Sequence, residues 1–465
     1  MNVGSSPTSP DRLAIFAFLW AGAALFHQAS YGAWTASPTQ FAVSLAALLV
    51  CIRPSSTVLL LILAACQLVE AITSLPWLSN HWLLTAWVNA TLLAAAVSWN
   101  RNARDAGRDG LFDGFAPSAR ACVLVLYFFV VFHKLNTSFL QPEVSCATLL
   151  LGATLGSAQV LLDSPLVGHL AIYGTLAFES AIPLMLCFPA TRYWGILLGL
   201  FLHLVLSLNP AQSYYNFSAV TYALLALWAP RPFFERLAIA LSRLGARFHA
   251  PPWNSLPLAA AAPTCAGIFL AGVGLGIIEP RNDTGARLIW SGFAVSALFA
   301  WIRFAPAEGE GFEGSRALLL AGPRLLLVFP ALLFLNGSMP YLGLKTETSL
   351  AMYSNLRTEA NGSNHLIIGR PLYLADYQLD LARVIESDHP GLQRHADAGT
   401  LLTFFELQRV AAAIPEARLA YERNGVPVTA PRIRDDPALE PPPHWLRKLL
   451  SFRPVPQSQW VPCTH

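Results

Sequence analysis

Lys134 is the residue of this sequence best placed to do chemistry, because it follows His133 inside the apolar run 127–140. That run predicts a membrane helix, in which an ammonium group costs roughly 2.5–3.5 kcal/mol at the centre on insertion scales. A buried lysine amine can give up its proton near neutral pH and then act as a base. Neighbouring residues of a helix point roughly 100° apart, so only one of the pair can face a given pocket, and we assign that role to Lys134.

Other polar side chains fall at a similar depth in the predicted spans. His81 opens one span directly after Asn80, and His203 lies near the end of another. Histidine donates or accepts a proton near neutrality, so this layer predicts a proton-transfer pocket in the outer half of the bilayer. The candidate catalytic residues are Lys134, His81 and His203, and the candidate binding residues are Asn80, Glu70, His27 and Glu179.

Each candidate also has a purely structural interpretation. Lys134 can extend its aliphatic stem to the outer interface, and histidines beside tryptophan, such as His27 and His81, can simply mark that interface. His203 can be a core histidine with a satisfied ring, and the two glutamates can be hydrogen-bonding partners in helix packing. No spacing typical of zinc ligands is present, so the sequence predicts no metal site.

The composition indicates which fold must position these residues. The chain has 465 residues, of which 54% are hydrophobic and 12% charged, whereas soluble domains carry about 25% charged residues. We therefore expect an all-α polytopic membrane protein with about 9–11 transmembrane helices. The predicted spans are 13–30, 37–52, 57–74, 82–98, 119–140, 167–188, 193–208, 214–229, 259–278, 286–304 and 317–336.

Charge placement predicts the orientation of these spans. Arginine is concentrated in alternate loops, and the opposite loops hold only Arg281 and Arg287. The positive-inside rule then places the N-terminus in the cytoplasm and the C-terminus outside a cell inner membrane. The scarcity of lysine relative to arginine indicates a bacterial source. No basic patch beyond the arginine-rich loops indicates nucleic-acid binding.

Residues 345–465 are more charged than the membrane domain predicted at 10–340, and we expect them to form a small α+β appendage on the extracytoplasmic side. Strands are expected at 365–374 and 418–423, with a helix at 400–414 between them. Residues 144–162 predict an interfacial or re-entrant helix that packs over the spans. Cys146 and Cys463 are the two cysteines placed outside, where a disulfide between them is permitted but not required.

Four segments resemble the horizontally transferred transmembrane (HTTM) domain family, which includes the vitamin K-dependent γ-carboxylases and many bacterial relatives. The segments are His-Lys-Leu-Asn at 133–136, Asn-His at 80–81, Phe-Leu-His at 201–203 and Phe-Glu-Ser-Ala-Ile-Pro at 178–183. The likeness covers roughly residues 10–340. A further stretch at 341–365 resembles the bacterial relatives and not the carboxylases.

The resemblance implies a function. In the carboxylases, a lysine deprotonates a hydroquinone, whose oxidation by O2 yields the strong base that removes a glutamate proton before CO2 is added. By analogy Lys134 would be the base, and Asn80, His81 and His203 would position a quinol-type cosubstrate. The resemblance thus implies a reduced quinone, O2 and CO2 as cosubstrates. It also implies the lipid bilayer and a hydrophobic cosubstrate as partners, with a peptide as a candidate substrate on the outer face.

Two other functions fit the same sequence. A transporter would also carry charges within the membrane, but it would favour inverted repeats and a site at the membrane midplane. We find no repeat in the sequence, and Glu179 is the one candidate for a midplane site. A non-catalytic partner of a peptide-maturation or assembly system would keep the same motifs as an enzyme.

Overall fold

The computed structural model describes residues 11–102, 107–212, 214–247, 283–306 and 310–463. Within them the chain is mostly helical, with one small sheet near the C-terminal end. The helices are α1 (Arg12–Tyr31), α2 (Pro38–Ile52), α3 (Thr57–Ser74), α4 (Asn80–Asn102), α5 (Gly107–Phe132), α6 (Cys146–Leu155), α7 (Pro165–Cys187), α8 (Pro189–Ser207), α9 (Tyr215–Ala226), α10 (Arg231–Arg247), α11 (Asp283–Phe304), α12 (Ser315–Leu320), α13 (Val328–Ser338), α14 (Pro390–Ala398), α15 (Phe404–Ala411) and α16 (His444–Leu449). The strands are β1 (Leu381–Ser387), β2 (Leu401–Thr403), β3 (Leu419–Arg423) and β4 (Val426–Ala430).

Eight helices of the described residues are long and apolar enough to cross a membrane, as expected for a multi-pass membrane protein. They overlap the spans predicted at 13–30, 57–74, 82–98, 119–140, 167–188, 193–208, 286–304 and 317–336. The spans predicted at 37–52 and 214–229 form the shorter helices α2 and α9, of 15 and 12 residues. The span predicted at 259–278 lies outside the described residues.

The chain forms two compact units. The first comprises Met1–Thr73, Leu84–Val125 and Phe178–Ala331, and the second comprises Ser74–Leu83, Leu126–Ala177 and Leu332–His465. The beginning of α4, the end of α5 and the whole C-terminal segment therefore belong to the second unit.

In the first unit, α1 packs against α2, α9 and α11. Buried polar side chains connect it to two further helices. The Trp20 Nε1–H of α1 donates to Asn89 Oδ1 of α4 at 2.9 Å, and Asn89 Nδ2 donates to Gln67 Oε1 of α3 at 3.1 Å. Each of these buried groups finds a partner within the protein, as burial of polar atoms requires.

Two buried arginines of the first unit bind carbonyl oxygens at helix ends. The Arg120 guanidinium donates to Leu227 O at the end of α9 and to Leu318 O of α12. The Arg192 guanidinium donates to Leu186 O near the end of α7, at 2.8 Å. The last carbonyls of a helix lack partners within it and carry partial negative charge. Arg120 and Arg192, which belong to the arginines on one side of the predicted topology, thus also bind the free carbonyl groups at helix ends.

The sheet lies in the second unit, with strand order β2-β1-β3-β4 and antiparallel pairing throughout. Strands β3 and β4 join through Asn424 and Gly425, whose φ angles of 52° and 77° are those of a tight two-residue hairpin. Helix α15 begins after Thr403, whose hydroxyl accepts the N–H of Glu406 at 3.2 Å. Helices α14 and α15 pack on β1, and the apolar side chains between them form one core.

The structure confirms some predicted elements of the C-terminal segment and corrects others. The strand predicted at 418–423 is β3, whereas the helix predicted at 400–414 begins as strand β2 and continues as the shorter α15. The strand predicted at 365–374 is wrong, because the N–H groups of Leu366, Leu372 and Leu374 bond to carbonyls of non-strand segments. The interfacial helix predicted at 144–162 is helical, as α6 followed by the 3-10 helix Gly156–Asp163.

Candidate functional site

Helix α5 ends at Phe132, so Lys134 lies in a turn just beyond the helix. The prediction that the helix continues to residue 140, with Lys134 inside it, is wrong. The Lys134 N–H bonds to Val131 O, one residue short of the helical partner, so the last turn is tightened. His365 satisfies the end of the helix, because its Nε2–H donates to Phe132 O at 2.8 Å.

Asn136 is the residue that reorganises the chain after α5. Its Nδ2 donates to His133 O at 2.8 Å and to Ser354 O at 2.6 Å, while its Oδ1 accepts the N–H of Phe139 at 2.8 Å. Asparagine competes with helical hydrogen bonding in this way, and here it does so inside an apolar run. The turn that carries Lys134 is therefore fixed by a side chain and not by the helix.

Lys134 is buried in the second unit, with 5% of its surface exposed. Its Nζ lies 5.8 Å from the centroid of the Phe139 ring, within the range of a cation–π contact. The side chain is covered by protein and does not reach into solvent. A buried amine beside an aromatic ring can exchange a proton with an apolar ligand that carries a hydroxyl group.

His133 is fully buried, and both of its ring nitrogens are occupied. Nε2 lies 3.2 Å from Ser349 O, and because a carbonyl oxygen only accepts, Nε2 carries the proton. Nδ1 then accepts from the Tyr341 hydroxyl at 2.8 Å. The ring also stacks on Phe129 at a centroid distance of 5.1 Å. His133 thus holds neighbouring segments together, and the assignment of the chemistry to Lys134 stays a prediction.

The segment that His133 binds has an unusual backbone. We call residues 345–361 the left-handed segment, because six of its residues other than glycine have positive φ. They are Thr348, Leu350, Tyr353, Asn355, Ala360 and Asn361. Such conformations cost on the order of 1–3 kcal/mol each and persist only where the surroundings enforce them, often at functional sites.

Polar side chains from other parts of the second unit enforce this backbone. Six main-chain groups between residues 348 and 355 each bond to a side chain. The six side chains are amides, an imidazole and a guanidinium, and all are buried or half-buried. The pairs are Thr348 O with Asn336, Ser349 O with His133, Leu350 N with Asn80, Ala351 O with Arg453, Ser354 O with Asn136, and Asn355 O with Asn364. Residues 348–355 of the left-handed segment are thus held by side chains, and four of these, from Asn80, His133, Asn136 and Arg453, are more than 100 residues away in sequence.

The predicted Asn-His motif lies at this segment. Asn80 Oδ1 accepts the N–H of Leu350 at 2.7 Å. His81 is buried, and its Nε2 lies 3.4 Å from Ser79 Oγ. Asn80, which the sequence predicts as a cosubstrate-binding residue, therefore uses its carbonyl oxygen to position the left-handed segment.

Charged groups that the sequence analysis did not select are buried on the same segment. Lys345 is 7% exposed, and its Nζ donates to Thr348 Oγ1 at 3.3 Å. Burial lowers the pKa of Lys345 to about 8, although Glu347 acts in the opposite direction. Burial raises the pKa of Glu359, whose Oε2 accepts the N–H of Thr358 at 2.9 Å. Two sequence signals pointed to Lys345, namely the scarcity of lysine in the chain and its position in the stretch 341–365 that resembles the bacterial relatives.

The remaining predicted site residues lie in the first unit. His203, on α8, is buried with its ring edge-on to Phe217 at 5.0 Å. His27, on α1, is buried with its ring 4.9 Å from that of Tyr31. Glu70 is buried on α3, and Glu179 is half-buried on α7. Their assembly with Lys134 into one pocket stays a prediction.

Among the described residues, no group of three or more histidine, cysteine, aspartate or glutamate side chains is arranged to hold a metal ion. Comparisons of the chain with protein-family models, with curated proteins and with solved structures each found no match. The described residues thus define a mostly helical protein with eight helices long and apolar enough to cross a membrane and a small C-terminal sheet.

Proposed function

We propose that this chain is a membrane enzyme of the HTTM-like kind, in which Lys134 is the base toward a reduced quinone. The observation that carries the proposal is the burial of a lysine amine beside Phe139, in a turn fixed by Asn136. A buried lysine beside an aromatic ring meets the requirement for proton transfer from a lipid-soluble hydroxyl compound.

A reduced quinone would fit these residues by its chemistry. It supplies an aromatic ring that can pack against Phe139, weakly acidic hydroxyl groups, and the electrons that reduce O2. Lys134 Nζ would accept the proton of one hydroxyl, and the apolar surroundings would keep water away from the charge that remains on oxygen. His81, which lies in the same unit as Lys134, would orient the ligand. The roles predicted for His203, Glu70, His27 and Glu179 of the first unit stay predictions. CO2 would be a third reactant only if the reaction is a carboxylation.

The proposed location is a bacterial inner membrane, with the N-terminus in the cytoplasm and the C-terminal segment outside. Two observations support this orientation. Arginine marks one side of the predicted topology. Cys146 and Cys463, which the predicted topology assigns to the other side, form a disulfide, and such bonds persist in oxidising compartments such as the periplasm.

Oxygen uptake by the purified protein in nanodiscs tests the proposal, with the reduced naphthoquinone menadiol as probe. We expect quinol-dependent uptake above the spontaneous rate, and a loss of about 100-fold or more in Lys134→Ala, the range typical of a removed general base. Lys448→Ala is the matched control, because Lys448 Nζ bonds to Leu75 O away from this turn. The same assay with and without CO2 distinguishes a carboxylase from an oxidase.

Two results would contradict the proposal. Undiminished uptake in Lys134→Ala would exclude Lys134 as the base. Absence of any quinol-dependent uptake in the unaltered chain would favour the transporter or the non-catalytic maturation partner, which share the same buried charges.

A further inference from the structure

Lys345 is a second buried lysine of the second unit, and the function proposed above does not use it. Its ammonium group is enclosed and donates to Thr348 Oγ1 at 3.3 Å. The nearest carboxylate in sequence, Glu347, pairs instead with Arg453 Nε at 3.4 Å. Burial without a bonded carboxylate is the condition under which a lysine is found uncharged.

The groups that bear on the charge of Lys345 come from several elements. Glu347 lies on the same segment and favours the charged amine. Arg453, on the C-terminal tail, pairs with Glu347 through its guanidinium, and its backbone N–H donates to Thr346 Oγ1 at 2.9 Å. Glu359 is buried further along the segment, and the positive charge of Arg453 favours its charged form. Burial outweighs Glu347, so the pKa of Lys345 falls to about 8, and about a tenth of the amine is neutral at pH 7.

Side-chain hydrogen bonds also hold the backbone near Lys345. Thr348, its hydrogen-bond partner, has a φ of 49°, which a β-branched residue rarely adopts. Asn336 fixes the carbonyl of Thr348 at 2.8 Å, and His133 fixes the carbonyl of Ser349. Since His133 directly precedes Lys134, one hydrogen bond joins the two segments that carry the buried lysines.

We propose that Lys345 is a second proton-accepting amine of this site, acting on a hydroxyl group of a dihydroxyaromatic ligand. In this step the O–H bond breaks, its electron pair stays on oxygen, and a new N–H bond forms at Lys345 Nζ, with no change of oxidation state. The inference rests on the proposed function, because it assigns a second residue to the same ligand. Thr348 is then a positioning residue, which orients the amine through its hydroxyl.

The chain offers an unusually clean test, because Lys134, Lys345 and Lys448 are its only lysines. Full-length protein labelled with carbon-13 at lysine Cε should give one NMR signal for each, assigned with single Lys→Arg variants. We expect the Lys345 signal to titrate near pH 8 and to shift when menadiol is added without oxygen. The Lys448 signal should not shift when menadiol is added, and it serves as the internal control.

The outcomes separate this inference from the proposed function. A menadiol shift at Lys134 but not at Lys345 would overturn the inference and leave the function standing. Shifts at neither lysine, without quinol-dependent oxygen uptake, would overturn both. Oxygen uptake gives a second readout. Lys345→Arg keeps the positive charge and a similar size, and it should lower kcat and remove the pH dependence of kcat near pH 8. An unchanged pH profile in that variant would also overturn the inference.

Discussion

Asn80 Oδ1 accepts a hydrogen bond of 2.7 Å from the backbone N–H of Leu350, a residue 270 positions later in the chain. Asn80 begins a helix with membrane-spanning character, and Leu350 lies in the left-handed segment with a φ of 63°. One side chain thus connects the start of a helix to a backbone that is strained on its own. The conformation of the left-handed segment therefore depends on Asn80, a residue of the Asn-His motif.

Removal of the Asn80 amide should destabilise the left-handed segment. Asn80→Ala leaves the Leu350 N–H without its acceptor, and a buried unpaired donor costs about 1–3 kcal/mol. We expect a lower midpoint of thermal unfolding in detergent for Asn80→Ala. Asn80→Asp is the matched control, because it keeps the acceptor oxygen and places negative charge at a helix N-terminus, where it is favourable. Equal stability of both variants and the unaltered chain would show that the bond contributes nothing.

Relief of backbone strain should stabilise the protein. Ala360 has a φ of 60° and an exposed side chain, so Ala360→Gly removes a steric cost of roughly 1–2 kcal/mol without the loss of packing. We expect a higher unfolding midpoint for this variant. Ala396→Gly in α14 should do the opposite by up to about 1 kcal/mol, since glycine weakens a helix interior. A loss of stability in Ala360→Gly would contradict the left-handed conformation at that residue.

The disulfide between Cys146 and Cys463 should hold the C-terminal tail on the site. Near it, Asn355 binds Val461 O and the N–H of Cys146, and the tail contributes Arg453 to the left-handed segment. Loss of a native disulfide typically costs 2–5 kcal/mol. We expect dithiothreitol to increase hydrogen exchange at residues 450–463 and in the left-handed segment. The Cys146→Ser/Cys463→Ser double variant should show the increase without the reductant and no further response to it.

The low pKa of Lys345 should make stability depend on pH in the alkaline range. The folded protein releases this proton near pH 8, whereas the unfolded chain keeps it until about pH 10.4. Between these values the unfolded state binds more protons, so the free energy of unfolding should rise with pH, by no more than about 3 kcal/mol. Lys345→Met should flatten this rise. A slope that persists in Lys345→Met would assign it to another group.

Sequence reasoning found the helices and the buried lysine because both are local signals. Apolar runs of membrane length predict spans wherever they occur, and Lys134 is conspicuous inside one of them. It failed at the end of α5, because the stop comes from Asn136 and His365, and neither is apparent from hydropathy. Leu, Ile and Tyr at 365–374 suggested a strand, yet among the described residues this stretch pairs only through the isolated β-bridge between His365 and Asn136.

The left-handed segment could not be predicted, because its conformation is decided by contacts across long separations. Ser349 bonds to a histidine 216 residues earlier, and Ser354 to an asparagine 218 residues earlier. Its own residues, such as Thr348 and Leu350, disfavour positive φ, so local propensity argues against the observed structure. Lys345 remained unselected for the same reason, since its burial depends on that backbone.

The most direct measurement of the central claim is the ultraviolet–visible spectrum of menadiol mixed with the protein without oxygen. If Lys134 accepts a proton from the ligand, the unaltered chain should generate the absorption of the deprotonated quinol at a pH where menadiol alone stays protonated. Lys134→Ala should lower that absorption clearly, and Lys448→Ala should retain it in full. The same absorption in Lys134→Ala as in the unaltered chain, or none with either protein, would contradict the role of Lys134 as the base.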